Sequence, residues 1–155
     1  MKSWRYIGCG GCCKFTVKIT TKEWLNITRV YGYGIIRQTV DGFYLRKTND
    51  GLCPFLLRLS GRWFCGIQYM KPLACKLWPF RIISEPKYGN SNEACFNYKD
   101  REFYIYVNLM CHGILRGRLN RIFISKILPE LIEIRMGSQR KQFYSTINLA
   151  YPRHR

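Results

Sequence analysis

The chain has 155 residues, 26 of them Lys or Arg against 9 Asp or Glu, for a formal net charge of +17 at neutral pH. With 47% hydrophobic and 23% charged residues it has the material for a folded core, which excludes a disordered tail. The charge attracts polyanions, nucleic acid first among them, and no run reaches the ~18 uninterrupted apolar residues of a membrane span.

The first feature along the chain is IGCGGCCKF, residues 7–15, which brings Cys9, Cys12 and Cys13 together around Gly10 and Gly11. Two thiols three residues apart can grip one soft cation where the backbone turns tightly, and the glycines permit that turn. Adjacent cysteines in an extended chain point to opposite sides, so Cys12 and Cys13 serve either two sites or one site and packing. The following KFTVKIT alternates as a short strand. Thr20 with Glu23 three residues later fits a capping box, and Gly32 fits a helix C-terminus. These signals predict a short helix offering Trp24, Leu25, Ile27 and Val30 for burial. GIIRQTVDGFYLRK predicts a hairpin that turns at Asp41-Gly42.

Residues 49–83 hold Cys53, Cys65 and Cys75 and carry turn signals in NDG and SGR, so they are expected to be mostly loop. A helical turn is expected in KPLACKL and a strand in WPFRII. After a polar loop, CFNYKDREFYIYVN predicts a second hairpin turning at Lys99-Asp100, with FYIYV its strongest strand. From Leu119 to Met136 the spacing becomes helical: Leu119, Phe123, Ile127, Leu131 and Ile134 share a face, widened by Ile122, Ile124 and Leu128. Pro129 inside this run predicts a kink or two shorter helices. Residues 137–155 contain no acidic residue and are expected to form a basic extension to a domain spanning residues 1–136.

No targeting segment is visible, and the expected compartment is the cytoplasm, where thiols stay reduced. The eight cysteines therefore point to metal more than to disulfides or inert burial. Thiolates suit both zinc and iron–sulfur clusters, and spacing does not separate the two. The candidate ligands are Cys9, Cys12, Cys13, Cys53, Cys65, Cys75 and Cys111. Cys95, alone on a predicted strand with no chelating neighbour, stands between ligand and core residue.

In order, CGGCC, ITTKE, CPFL, GRWFCGIQYMKPLACKLWPF and CHG resemble the YkgJ-like cysteine-cluster family of zinc- or iron-chelating proteins. The resemblance spans about residues 9–113, with Pro54, Phe55, Tyr69, Pro72, Pro79 and Phe80 in register beside the cysteines. It implies a chelated metal rather than any one reaction. Tyr6 stands where the family has its first cysteine. Lys71 and Lys76 stand where it has arginines, so charge is kept without a bidentate fork.

No enzyme class is compelled. There is no phosphate-cradling glycine loop, no pair of carboxylates stands out as an acid–base couple, and no small-molecule substrate is indicated. Cys13–Lys14 and Cys75–Lys76 would suit a reactive thiolate, but the same cations balance a thiolate-bound metal. Basic and aromatic residues interleave in WRY, FYLRK, KLWPFR and RKQFY, a pairing suited to RNA. Arg116, Arg118 and Arg121 are expected to ring the start of the last helix and, with Arg135, Arg140, Lys141, Arg153 and Arg155, to meet phosphate. The sequence thus predicts a small α+β domain of short strands, hairpins and a few helices, its loops held by cysteine-ligated metal. It is expected to bind RNA, most concretely ribosomal RNA beside ribosomal proteins. The alternative is an iron–sulfur redox or modification enzyme, or an accessory subunit of one.

Overall fold

The computed structural model describes residues 3–115 and 120–146. In chain order the elements are β1 (Ser3–Trp4), β2 (Lys18–Ile19), α1 (Thr21–Tyr31), β3 (Ile36–Thr39), β4 (Gly42–Leu45), β5 (Leu56–Leu59) and β6 (Arg62–Cys65). They continue with α2 (Leu73–Leu77), β7 (Phe80–Ile83), α3 (Ser91–Ala94), β8 (Cys95–Tyr98), β9 (Arg101–Val107), β10 (Ile114–Leu115) and α4 (Leu128–Met136). Short antiparallel pairings and a few helices make this the expected α+β class. The chain divides into two compact units interleaved along the sequence. One comprises residues 8–81 and 106–112; the other comprises 1–7, 82–105 and 113–155.

In the first unit, β4 lies between β2 and β3, with Arg37 opposite Tyr44 and Thr39 opposite Gly42 across the predicted hairpin. The helix packed on this sheet is the one the capping signals predict. Thr20 accepts from the Glu23 amide at 3.2 Å while the Glu23 carboxylate accepts from the Thr20 amide at 2.9 Å. The other Glu23 oxygen accepts from the Leu73 amide at 2.7 Å, so one carboxylate ties together the first turns of α1 and α2. Trp24 stacks on Phe43 with ring centroids 4.5 Å apart, and Ile27 is fully buried. Leu25 and Val30 stay exposed, so the helix docks on a narrower stripe than its apolar residues offered. Val17, Ile19, Ile27, Ile36, Leu45, Phe55 and Ile67 form the core, with Cys53, Cys65 and Cys75 packed against it.

Where a loop was expected, β5 and β6 form a further hairpin, with Arg58 opposite Trp63 and Leu56 opposite Cys65. Its turn, Ser60-Gly61, has both residues at positive φ (48° and 76°), the primed geometry that matches strand twist.

In the second unit β8 and β9 form the predicted hairpin, and Lys99 and Asp100 adopt the same doubly left-handed turn at φ 49° and 58°. The sheet order is β7-β9-β8. The last helical run begins at Asn120, whose side chain accepts from the Ile122 amide at 2.8 Å. Residues Phe123–Ile127 are wound as a π-helix that continues directly into α4. Pro129 lacks an N–H, and its ring would crowd the carbonyl four residues back, so the wider turn absorbs it without breaking the helix. Phe123, Ile127, Leu128, Leu131 and Ile134 are buried as the spacing predicts, whereas Ile122 and Ile124 are exposed. Leu119 lies outside the described residues.

Glu133, on α4, accepts from Tyr98 at 2.8 Å, from Lys99 and from Ser138, fastening the β8–β9 turn to the end of the helix. Lys99, then Ser138 and Tyr98, hold its carboxyl down at about 2. The unfolded carboxyl titrates near 4.5, so its contribution to stability is complete above that pH and fades as pH falls toward 2. Urea midpoints measured from pH 5 to pH 2 are therefore expected to fall less steeply in Glu133→Gln than in the parent chain.

Candidate metal centre

The cysteine-rich N-terminal loop owes its shape to local geometry. Gly10 sits at φ +68° and starts a 3-10 turn over Gly11–Lys14, closed by the Cys13 amide on the Gly10 carbonyl at 3.0 Å. A Cβ on Gly10 would fall 3.0 Å from Cγ of Trp63, while the Trp63 amide donates to the Gly8 carbonyl at 3.0 Å. The β5–β6 hairpin thus lies directly against the loop and admits only glycine there. Gly10→Ala meets both the left-handed backbone and the indole, and is expected to cost about 1–3 kcal/mol. Thermal melts and metal content should fall together in that variant.

The loop is stapled to the next cysteine segment. The Cys13 carbonyl accepts from the Cys53 amide at 3.0 Å and from Lys47 Nζ at 2.6 Å. Cys12 and Cys13 place their sulfurs 4.0 Å apart. Two thiolates on one tetrahedral zinc, at about 2.3 Å each, stand roughly 3.8 Å apart, so the pair is close to the spacing a shared ion requires. Cys65 ends β6 and Cys75 lies in α2, each half-buried on the core. Their electrostatic interactions join Cys12, Cys13, Cys53, Cys65 and Cys75 into one set.

Within that set the thiols differ. The hydrogen bond from Cys13, helped by the Lys71 ammonium, brings Cys12 down to about 6 against desolvation. Cys53 falls to about 7 through Cys13, the Phe55 amide and Lys47. Cys13, the shared donor, is pushed up. Desolvation raises Cys65, and raises Cys75 to about 12, with Lys71 opposing both. Lys71 is only 6% exposed, so an ammonium is held inside the protein among thiols. Backbone amides two residues on also point at sulfur: Gly11 to Cys9 at 3.5 Å, Phe55 to Cys53 and Ile67 to Cys65. Such N–H donors and nearby cations favour the thiolate, the form a metal takes.

The donor chemistry fits a soft cation, zinc or iron, and Cys12, Cys13, Cys53, Cys65 and Cys75 are the residues that would hold it. Among the described residues, no three Cys, His, Asp or Glu side chains stand close enough together to hold a metal ion, so binding would have to draw these thiols closer. Cys9 is exposed on the same loop, and Cys111 follows β9 in a turn closed by its amide on Asn108 at 3.2 Å. Both belong to the first unit. Cys95 is the one cysteine of the second unit, on β8 opposite Tyr104. Tyr6 packs its ring edge-on to Trp4 at 6.4 Å.

Of the eight basic residues expected to meet phosphate, Arg121, Arg135, Arg140 and Lys141 are exposed in the second unit. Arg135 also donates to the Ile82 carbonyl at 3.2 Å. Arg116, Arg118, Arg153 and Arg155 lie outside the described residues. Sequence reasoning did not single out Lys47 or Trp63, whose roles arise from contacts between distant segments. Lys71 was visible as a departure from the family's arginine. Among the described residues no helix is long and apolar enough to cross a membrane.

A small α+β fold with cysteines gathered from four chain segments defines a metal-chelating domain. The family model CxxCxxCC, described as a putative zinc- or iron-chelating domain, matches residues 6–112, and the chain belongs to that family. The match begins at Tyr6, so the family's leading motif stands here as YxxCxxCC. No curated protein and no solved structure matches the sequence significantly.

Proposed function

We propose that the protein is a metal-clipped RNA-binding module, ribosome-associated in its most concrete form. The observation that carries the metal half is a set of five interacting thiols, of which Cys12, Cys65 and Cys75 feel the buried Lys71 and Cys53 feels Lys47, with Cys12 and Cys53 drawn toward the thiolate. The RNA half rests on the net charge of +17 and on exposed cations interleaved with aromatic rings. In this reading the metal closes the loops and the surface does the binding.

Iron, zinc and acid-labile sulfide per chain, measured on protein purified without oxygen, test the first half. Zinc without sulfide makes the centre a structural clip. Iron with matching sulfide moves the protein toward redox chemistry. Neither metal overturns the chelation reading. Binding to ribosomal RNA across a salt series tests the second half, and an affinity indifferent to salt, or no affinity, overturns it.

A further inference from the structure

The outer face of the β2-β4-β3 sheet carries a row that neither the cysteine motif nor the expected arginine sites include. Lys18 is the cross-strand partner of Tyr44, and Tyr44 is the partner of Arg37, so the three residues stand abreast on adjacent strands. Lys18 Nζ lies 5.7 Å and Arg37 Cζ 5.9 Å from the centre of the Tyr44 ring. Both cations are exposed. The neighbouring inward positions, Ile19, Phe43, Ile36 and Leu45, belong to or pack on the core, so a rigid sheet presents the row. One carboxylate belongs to the hairpin. Asp41 accepts from the Tyr44 and Thr39 hydroxyls, which anchors the ring at its phenol end, and it also attracts Lys18.

We propose that this row is a contact platform for single-stranded RNA, Lys18 and Arg37 turning from over the Tyr44 ring to the flanking phosphates as a base stacks on it. The inference rests on the RNA reading above and assigns it a surface. Strands are about 4.8 Å apart, so the two cations stand on strands roughly 10 Å apart with an aromatic ring between them. That alternation of cation, ring and cation follows a backbone and its bases without reading sequence. A bare stabilising cation–π pair would need one cation; here a second flanks the same ring, and Asp41, the one carboxylate of the hairpin, leaves the row with a net positive charge.

The test is fluorescence anisotropy of a labelled ten-nucleotide oligo-uridine against the full chain across a KCl series. Metal content and circular dichroism establish that each variant remains folded. Lys18→Ala with Arg37→Ala is expected to weaken binding at least tenfold and to flatten the log–log salt slope by about 1.4, two phosphate contacts' worth on a single strand. Tyr44→Leu is expected to weaken binding about tenfold with the slope unchanged, because stacking releases no counterions. Tyr44→Phe should bind like the parent. Parent-like affinity and slope in both the double variant and Tyr44→Leu would overturn the platform alone. No binding of oligo-uridine by a parent chain that still binds ribosomal RNA would also overturn the platform alone, whereas no binding of either would overturn the RNA reading and the platform with it. Equal affinity for a duplex of the same length would overturn the stacking role.

Discussion

Cys53→Ser and Cys12→Ser are each expected to lower metal affinity by more than about 100-fold, since even groups that only support a ligand are worth about 10- to 100-fold. The two thiols are those drawn down to about 7 and about 6, so they reach the thiolate most readily at neutral pH. A serine hydroxyl has neither the softness nor the acidity to replace them. Loss of metal should also loosen the fold, because Cys53, Cys65 and Cys75 rest directly on the Val17–Ile67 core. Structural zinc in small domains supplies about 10–16 kcal/mol of apparent binding energy, so the melting temperature of the parent chain should fall with chelator and that of either variant should not. Cys95→Ser provides the contrast. It removes the one cysteine of the other unit and is expected to keep the parent's metal content. Metal retained in Cys53→Ser, or lost in Cys95→Ser, would redraw the ligand set.

Where the signal is local, the sequence and the structure agree residue by residue. Thr20, Glu23 and Gly32 bracket α1 because capping is settled within four residues. The turns at Asp41-Gly42 and Lys99-Asp100 are settled by two residues each. The β5–β6 hairpin was hidden because Leu56, Leu57 and Leu59 break the alternation and the face carrying Leu57 and Leu59 is half exposed, although Ser60-Gly61 carried the turn signal. Long-range ties have no periodic trace at all. Glu23 reaches Leu73 across fifty residues, and Lys47 reaches the Cys13 carbonyl across thirty-four. The cysteines were legible as a family pattern. Which of them interact was not, because that depends on how α2 and the β5–β6 hairpin bring Cys75 and Cys65 toward the N-terminal loop. Lys71 illustrates the same limit: its charge was apparent, but its burial among thiols is a product of tertiary packing.

Glu130→Ala is expected to be the most damaging single change in the second unit. Glu130 is 4% exposed on α4, beside fully buried Leu131 and Ile132. Its carboxylate accepts from three successive backbone amides, Phe143 at 2.7 Å, Tyr144 at 3.0 Å and Ser145 at 2.9 Å, and from the Ser145 hydroxyl at 2.6 Å. Residues 143–145 are thus folded back onto α4 around one buried carboxylate. Truncation leaves those amides and the Ser145 hydroxyl without their acceptor, at about 1–3 kcal/mol for each donor that stays buried, or about 3–5 kcal/mol in all. At roughly 2–4 °C per kcal/mol for a chain of this size, the melting temperature should fall by about 6–20 °C. Hydrogen exchange localises the effect: the amides of residues 143–145 should exchange at least about 100-fold faster, the factor that 3 kcal/mol implies if they open locally. Glu130→Gln should fall between, because its amide oxygen can accept while its NH2 faces donors. Unchanged protection at 143–145 in Glu130→Ala would mean the extension is held by its apolar contacts alone. The carboxylate also fixes the backbone a few residues after Arg140 and Lys141. If those two cations meet RNA, Glu130→Ala should weaken that contact through lost order rather than lost charge, with the salt slope preserved.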